Sequence, residues 1–317
     1  MKVELCREFE NKKNHKDLHK KFGSKRCFDT PLSEDALTGI GIGSALAGLR
    51  PIFVHQRMDF LLLCMNQIIN MAAKLRYMSS GEHNVPIVIR AAIGRSWGQG
   101  AQHSQALHSL FCHIPGLKVV APTTPHDAKG ILVASIRDNN PVIFIEHRML
   151  YKNAGYVPSD VFEIPIGKGR ILKSGEDITI VGSSFTVEES LKAAELLNEV
   201  GIKAEVIDPI TLSPLDYNLI RESVNKTKKI LVVDNAWVNF GFASEVIADI
   251  AINLDNVKCD KFGFANSPCP TTPSLEKLFY PSPQSIAKKA NILCNGDKDW
   301  EPPEIELKEV ASFKGPF

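Results

Sequence analysis

The sequence predicts an α/β protein with two domains, each a largely parallel sheet flanked by helices. The chain has 317 residues, which corresponds to about two domains at roughly 100–200 residues each. Helix-like and strand-like segments alternate from about residue 30 onward, which is typical of α/β folds. Several strand-like segments are short and almost continuously apolar, as residues 85–91 are, and this pattern favours strands covered on both faces of a parallel sheet.

The first half contains helices and strands in strict alternation, beginning with a helix. Thr30 can cap this first helix, Pro31 fits its first position and Glu34 lies in its first turn. The predicted helices are residues 31–48, 60–78, 102–113 and 124–137, and the predicted strands are residues 51–55, 85–91, 117–121 and 142–146.

Glycine and proline residues interrupt this rhythm between residues 147 and 173, which predicts a linker between the domains. A second alternating unit follows, in which Gly201 stands where a helix C-cap glycine belongs. Its predicted strands are residues 177–181, 204–207 and 230–233, and its predicted helices are residues 187–200, 215–224 and 243–252. We therefore predict domains at residues 1–165 and 166–294 and a C-terminal tail at residues 295–317.

Composition argues against several classes of protein. The net charge of +1 lacks the basic excess that is typical of nucleic-acid-binding domains. No apolar run approaches the roughly 18 residues that span a bilayer, and the charged start does not resemble a signal peptide. The seven cysteines are scattered and form no C-x-x-C pair, which favours reduced thiols. We expect a cytoplasmic protein that binds neither nucleic acid nor membrane.

A glycine cluster in the first predicted helix imitates a dinucleotide-binding fingerprint. The spacing fails, because neither Gly39-x-Gly41 nor Gly41-x-Gly43 is followed by a glycine at the third motif position, and the glycines lie inside a helix. We interpret these small residues as allowing close packing against another backbone. The chain also lacks a P-loop, a G-x-S-x-G elbow, an H-E-x-x-H motif and a Gly-Asp-Gly motif.

Three side chains could carry chemistry, although each has a structural alternative. Glu34 could simply be a first-turn carboxylate that the helix dipole favours. His103 follows a glycine-rich loop after a strand, where α/β proteins bind ligands, and histidine titrates near neutral pH. Phe60 could stack on a flat heterocycle, or it could be an ordinary core aromatic residue.

Longer motifs strengthen the functional interpretation. The chain contains Asp29-Thr30-Pro31-Leu32-Ser33-Glu34, Gln102-His103-Ser104-Gln105, Pro115-Gly116-Leu117-Lys118-Val119-Val120 and Arg137-Asp138-Asn139-Asn140-Pro141. With these motifs, the chain resembles the beta subunit of the thiamine-diphosphate-dependent decarboxylase component of 2-oxo acid dehydrogenase complexes. The resemblance extends from about residue 18 to residue 292.

The resemblance implies a transketolase-like pyrimidine-binding domain followed by a transketolase C-terminal domain. It also implies an obligate alpha subunit, usually in an α2β2 assembly, with thiamine diphosphate at the subunit interface. The alpha subunit would hold the diphosphate and Mg²⁺ through its Gly-Asp-Gly motif, which this chain lacks. A lipoyl acyltransferase would be a further partner.

The same resemblance assigns roles to individual residues. Glu34 corresponds to the carboxyl group that hydrogen-bonds the aminopyrimidine ring and favours the imino tautomer, whose nitrogen takes the proton from the thiazolium carbon. Phe60 corresponds to the aromatic residue that stacks on this ring, and His103 to the histidine that faces the substrate or the acyl acceptor. In some relatives a structural potassium ion is held at the positions that correspond to Ile87, Ser135, Ile136, Asp138 and Asn140.

Two departures leave the reaction open. Val54 replaces an acidic residue that is common at that strand end, and Arg57 stands where many relatives have an apolar residue. The leading hypothesis is a subunit that decarboxylates a 2-oxo acid and passes the acyl unit to a lipoyl carrier. The alternatives are a split transketolase-like subunit with an aldehyde or sugar acceptor, and a non-catalytic assembly module on the same fold.

Overall fold

A computed structural model of the chain describes residues 4–5, 18–94 and 98–305. Its strands are β1 (Glu4–Leu5), β2 (Cys27–Phe28), β3 (Ile52–His55), β4 (Val88–Ile93), β5 (Lys118–Val120), β6 (Val142–His147), β7 (Arg170–Lys173), β8 (Ile178–Val181), β9 (Ala204–Asp208), β10 (Thr211–Ser213), β11 (Lys229–Trp237) and β12 (Lys258–Phe264). Its α-helices are α1 (Leu18–Phe22), α2 (Glu34–Leu46), α3 (Ala73–Met78), α4 (His108–Cys112), α5 (Pro125–Arg137), α6 (Phe185–Glu199), α7 (Tyr217–Thr227), α8 (Phe242–Asn253), α9 (Pro273–Phe279) and α10 (Pro283–Leu293).

The strands form two sheets, which confirms the predicted fold class. The first sheet has the strand order β10-β5-β6-β4-β3-β1-β2, and the second has the order β12-β11-β8-β9-β7. All neighbouring strands are parallel except β10 beside β5 and β7 beside β9. Because β3, β4 and β6 are parallel neighbours, their carboxyl ends lie at one edge of the first sheet, which we call the first carboxyl edge.

Both faces of the first sheet are covered, as the apolar strands predict. Strand β4 is buried along its whole length. Ile89 and Ile93 belong to the core cluster that includes Leu61 and Ile68, whereas Val88 packs in a second cluster with Ile131 of α5. This two-sided burial fixes the strand ends that carry the candidate site.

The single long helix predicted at residues 60–78 is wrong. The chain instead forms a 3₁₀ segment at Met58–Cys64, a π-helical segment at Gln67–Ala72 and then α3. Met58, Leu61 and Cys64 are fully buried, and their spacing of three residues matches the three residues per turn of a 3₁₀ helix. The apolar composition predicted an α-helix. The buried side chains at every third position instead suit the narrower 3₁₀ helix at residues 58–64.

The helix predicted at residues 102–113 is also mostly wrong, because only His108–Cys112 is helical. The backbone amides of Gln105 and Leu107 donate to the Asp59 carboxylate and the Met58 sulfur, at 3.0 and 3.1 Å. Amides with these tertiary partners are not available to a helical ladder. His103 therefore lies on an irregular segment.

In the second half, the predicted helices and strands are confirmed, with shifts of a few residues at their ends. The sequence analysis missed β7, β10, β12, α9 and α10. Strand β10 leaves the second half of the chain and pairs with β5 at the edge of the first sheet. The last part of the predicted tail, residues 306–317, lies outside the described residues.

The glycine-rich helix α2 makes only part of the close packing that we expected. A Cβ atom on Gly41 would lie 3.0 Å from Ile87 Cδ1, so this side of the helix needs a small residue. A Cβ atom on Gly43 would meet nothing within 4 Å, and Ala36 and Ala47 are exposed. In the ranges that the structure covers, no helix is long and apolar enough to cross a membrane.

Candidate functional site

Glu34 is the first residue of α2 and is half-buried. It lines a narrow cleft together with Phe53, Val54 and His55 from the carboxyl end of β3, and this cleft has no room for a water molecule. The positive end of the α2 dipole favours a carboxylate at this position. The side chain that we predicted to bind the cofactor therefore faces a cleft at the first carboxyl edge.

Phe60 and His103 come together, although 43 residues separate them in the sequence. Phe60 lies on the 3₁₀ segment after β3, and His103 lies on the irregular segment after β4. Their ring centroids are 5.5 Å apart, with an angle of 69° between the ring planes. The structure thus brings two of the three predicted residues into edge-to-face contact.

Glu34 is linked to the same segment through Cys64. Burial raises the pKa of the Cys64 thiol to about 11, the nearby Thr38 hydroxyl opposes this change, and the charges of Glu34 and Asp35 raise the pKa further. This thiol is therefore neutral at physiological pH. The interaction places the Glu34 carboxylate within electrostatic reach of the 3₁₀ segment that carries Phe60.

The sequence analysis did not assign a role to Asp59, which lies next to Phe60 and is only 5% exposed. Burial raises the pKa of this carboxyl, while the hydrogen bond from the Gln105 amide and the charge of Arg57 lower it. Burial and the charge of Arg148 lower the pKa of the Arg57 guanidinium to about 10. An acid inside the apolar run that starts at Met58 was the available signal, since buried acids are rare without a partner.

The other histidine of this region has a structural environment. His108 is buried, and its Nε2 atom lies 2.9 Å from Oδ1 of Asp234 in the second half of the chain. This contact links α4 to β11 and does not involve the Phe60–His103 pair.

The five positions of the predicted potassium site already have protein contacts at several oxygens. Nη1 of Arg50 lies 2.8 Å from the carbonyl oxygen of Ile136 and 2.7 Å from that of Asp138. The carbonyl oxygen of Ile87 accepts the amide of Val142, and the carboxylate of Asp138 is paired with Lys118. The remaining two positions, Ser135 and Asn140, make hydrogen bonds to Ile131 and Asp138.

Arg50 therefore competes with the predicted potassium ion for two of its carbonyl ligands. This guanidinium supplies positive charge to two of the carbonyl oxygens that would bind the ion, although each carbonyl oxygen has a second lone pair. Potassium binding stays a prediction. No group of three or more His, Cys, Asp or Glu side chains that could hold a metal ion occurs in the part of the chain that the structure describes.

Comparison with known proteins supports the same interpretation. Residues 9–153 match the family described as "Transketolase, pyrimidine binding domain", and residues 167–286 match "Transketolase, C-terminal domain". The chain is 44% identical to the acetoin:2,6-dichlorophenolindophenol oxidoreductase subunit beta of Cupriavidus necator, over 89% of this chain and 84% of that protein. It is 42% identical to the pyruvate dehydrogenase E1 component subunit beta of Porphyra purpurea, over 89% of this chain and 86% of that protein. The chain belongs to the beta-subunit family of thiamine-diphosphate-dependent 2-oxo acid dehydrogenases.

The chain is also similar to a subunit named for another 2-oxo acid and to a solved transketolase-like structure. It is 41% identical to the 2-oxoisovalerate dehydrogenase subunit beta of Bacillus subtilis, over 85% of this chain and 84% of that protein. The solved structure described as "Split gene transketolase, inactive beta4 tetramer" superposes with a TM-score of 0.77 and 21% identity, covering 92% of this chain and 91% of that one. At that identity the likeness shows the fold alone.

The residues of this beta-type chain fit one half of thiamine diphosphate. The half-buried Glu34 carboxyl in its cleft suits a hydrogen bond to an aminopyrimidine, and the Phe60 ring suits stacking. The sequence lacks the Gly-Asp-Gly motif for the diphosphate and Mg²⁺. The residues at this edge therefore fit the aminopyrimidine half of the cofactor.

Proposed function

We propose that this chain is the beta-type subunit of a thiamine-diphosphate-dependent enzyme that decarboxylates a 2-oxo acid and transfers the acyl unit to a lipoyl carrier. The observation that carries the proposal is the contact between Phe60 and His103 on the segments that follow β3 and β4, at the same carboxyl edge as the Glu34 cleft, where α/β sheets bind ligands. The relatives named as pyruvate and 2-oxoisovalerate dehydrogenase subunits support the 2-oxo acid as substrate class.

Each of the three residues has a separate task in this proposal. Glu34 shares a proton with the ring nitrogen of the aminopyrimidine and so favours the imino tautomer. Phe60 orients the ring by stacking, and His103 faces the substrate or the acyl acceptor as a polar or acid–base group. Bound thiamine diphosphate supplies the nucleophilic carbon and the electron sink for decarboxylation.

The proposal includes partners. An alpha-type subunit with the Gly-Asp-Gly motif would hold the diphosphate and Mg²⁺, and two copies of each subunit would form an α2β2 heterotetramer. A lipoyl acyltransferase would accept the acyl unit. The absence of the diphosphate motif from this sequence supports a shared cofactor site.

The experiment that tests the proposal compares two neighbouring carboxylates of α2. The full chain is co-purified with a Gly-Asp-Gly-containing alpha subunit, and thiamine diphosphate binding and 2-oxo acid turnover are measured. Glu34→Ala should lower turnover by about 10²–10⁴-fold, because it removes a proton-transfer group, while the heterotetramer survives size-exclusion chromatography. Asp35→Ala, which changes an exposed acid of the same helical turn, should leave turnover within a few fold.

Retained activity in Glu34→Ala would contradict the assigned role of Glu34. A wild-type heterotetramer with no affinity for thiamine diphosphate would support the non-catalytic assembly module instead.

A second candidate function keeps the cofactor and changes the acceptor to an aldehyde or a sugar, as in split transketolase-like subunits. The specific observation is Arg57, a 4%-exposed cation three residues before Phe60. Supplying the reconstituted enzyme with a lipoylated carrier domain or with aldehyde acceptors separates the two functions. Product formed only with the aldehydes would favour the second candidate.

A further inference from the structure

Three consecutive residues after β3 bind both ends of the segment that carries His103. Nη1 of Arg57 donates to the carbonyl oxygen of Gly94 at 3.2 Å, where β4 ends. The Asp59 carboxylate accepts the Gln105 amide at 3.0 Å, and the Met58 sulfur accepts the Leu107 amide at 3.1 Å. We call residues 57–59 the β3 clasp.

The β3 clasp contains two charges in a buried place. Arg57 is 4% exposed and Asp59 is 5% exposed. Burying charged side chains is costly unless they are paired or hydrogen-bonded, so an apolar clasp would be the cheaper way to fill this space. The charges point to a task that packing does not perform, and that task is to accept a backbone amide and to hold a backbone carbonyl.

The β3 clasp opposes the helical preference of the segment at residues 102–107. Residues 102–113 have a helical pattern, yet residues 102–107 are not helical, and the amides that a helix would use donate to Asp59 and Met58. A charged acceptor makes a stronger hydrogen bond than a neutral one. Without the Asp59 carboxylate, a helical conformation of residues 102–107 would become more favourable relative to the observed one, and His103 would change position.

Glycines let the other part of the segment follow this path. Gly94 has φ +122°, and a Cβ atom there would lie 3.2 Å from the backbone nitrogen of Arg148. A Cβ atom on Gly98 would lie 2.5 Å from the carbonyl oxygen of Thr271 in the second half of the chain. The segment is thus held by the β3 clasp on one side and fits closely against the second half on the other.

We propose that Asp59 and Arg57 are positioning residues that set the placement of the His103 ring against Phe60. Asp59 is covalently next to Phe60, and its partner Gln105 lies two residues from His103. One hydrogen bond therefore joins the two segments close to both rings, whose centroids are 5.5 Å apart. The catalytic meaning of this placement rests on the proposed function, whereas the clasp itself does not.

Amide hydrogen exchange on the full chain tests the clasp directly. In Asp59→Ala the Gln105 amide should exchange about 10- to 100-fold faster, since the charged acceptor is lost. Asp59→Asn keeps a side-chain oxygen acceptor and should restore most of the protection. Asp177→Ala is the matched control: its carboxylate accepts the Lys203 amide at 2.7 Å, so exchange should rise at Lys203 and not at Gln105.

The exchange experiment tests whether Asp59 holds the Gln105 amide, and its result does not depend on enzyme activity. Unchanged exchange at Gln105 in Asp59→Ala, or faster exchange there in the Asp177→Ala control, overturns the proposal. If Asp59→Ala does not fold, Asp59→Leu, which fills the space and also lacks an acceptor, is measured instead, and exchange at Gln105 equal to that of the wild type overturns the proposal.

Turnover of the reconstituted enzyme tests the consequence for His103. Asp59→Ala should lower kcat by about 10- to 100-fold with a KM change of less than about threefold, because misplacement of a reacting group costs rate more than binding. Asp59→Asn should recover part of kcat. A loss of protection at Gln105 with normal kcat would overturn the role in positioning. Failure of the wild-type enzyme to turn over would count against the proposed function alone, because the exchange experiment does not depend on it.

Discussion

At the carboxyl edge of the first sheet, Glu34 lines a cleft and Phe60 and His103 lie half-buried in contact with each other. At the same edge of the second sheet, the polar side chains bind one another. Ser183 donates to Asp234 at 2.8 Å, and Nε2 of His108 lies 2.9 Å from the same carboxylate oxygen. Both edges come from parallel strands, but Glu34 lines a cleft at the first edge, whereas Asp234 is fully buried at the second.

The two sheet edges are therefore expected to have different roles in the same α/β fold, one for binding and one for stability. At the second edge, Oδ1 of Asp234 accepts from Ser183 and lies against His108 Nε2, so this buried carboxylate oxygen joins the two halves of the chain. At the first edge, the buried charges Arg57 and Asp59 hold the backbone, and Phe60 and His103 remain half-buried. Function is therefore expected at the first edge and stability at the second.

The largest expected effect comes from breaking the second edge. His108→Ala removes a buried partner of Asp234, and leaving a buried carboxylate with fewer partners should lower the free energy of unfolding by about 2–4 kcal/mol. Urea unfolding of the full chain measures this loss. His113→Ala changes an exposed histidine just beyond the same helix and should cost less than about 0.5 kcal/mol. Equal costs for both variants would contradict the stabilising role of the second edge.

The second edge also predicts a pH dependence of stability. Burial, followed by the charge of Asp127, raises the pKa of Asp208 at the end of β9 to about 7. Because the folded pKa exceeds the unfolded value of about 3.9, folding takes up a proton, and this contribution is fully present below pH 3.9 and is lost as the pH rises through about 7.

Asp208→Asn tests this prediction, because the amide does not titrate. The difference in unfolding free energy between wild type and Asp208→Asn should fall by on the order of 2 kcal/mol between pH 5 and pH 8. Urea unfolding at a series of pH values measures it. A difference that is constant over this range would show that Asp208 does not titrate there.

The smallest expected effect on stability lies at the first edge. Gly94→Ala places a side chain at φ +122°, 3.1 Å from Cε1 of His147, and should cost about 1–2 kcal/mol. Gly48→Ala is the control, because Gly48 has φ +89° but nothing within 4 Å of a Cβ atom. Thermal unfolding of both variants separates the backbone cost from the contact cost. A smaller loss for Gly94→Ala than for Gly48→Ala would contradict the close packing at Gly94.

Local patterns predicted much of the fold. The alternation of apolar strands with helices predicted the two largely parallel sheets. The predicted start of the first helix was wrong by three residues, because α2 begins at Glu34 with Ser33 at its N-cap, so Thr30 does not cap it and Pro31 lies before it. The same patterns failed at residues 58–78 and 102–107, where tertiary partners rather than periodicity decide the backbone. Strand β10 was missed because it is short and pairs with β5, a strand almost a hundred residues earlier.

The amino-acid sequence by itself determined the fold class and the family resemblance and proposed Glu34, Phe60 and His103 as site residues, because residue type and short-range spacing carry that information. Only the tertiary structure decided that Phe60 and His103 touch, that Asp59 binds the Gln105 amide and that Arg50 binds two carbonyl oxygens of the predicted potassium site. These contacts join segments about 40 to 90 residues apart, and their geometry depends on the register of the parallel strands and on which buried groups need a partner.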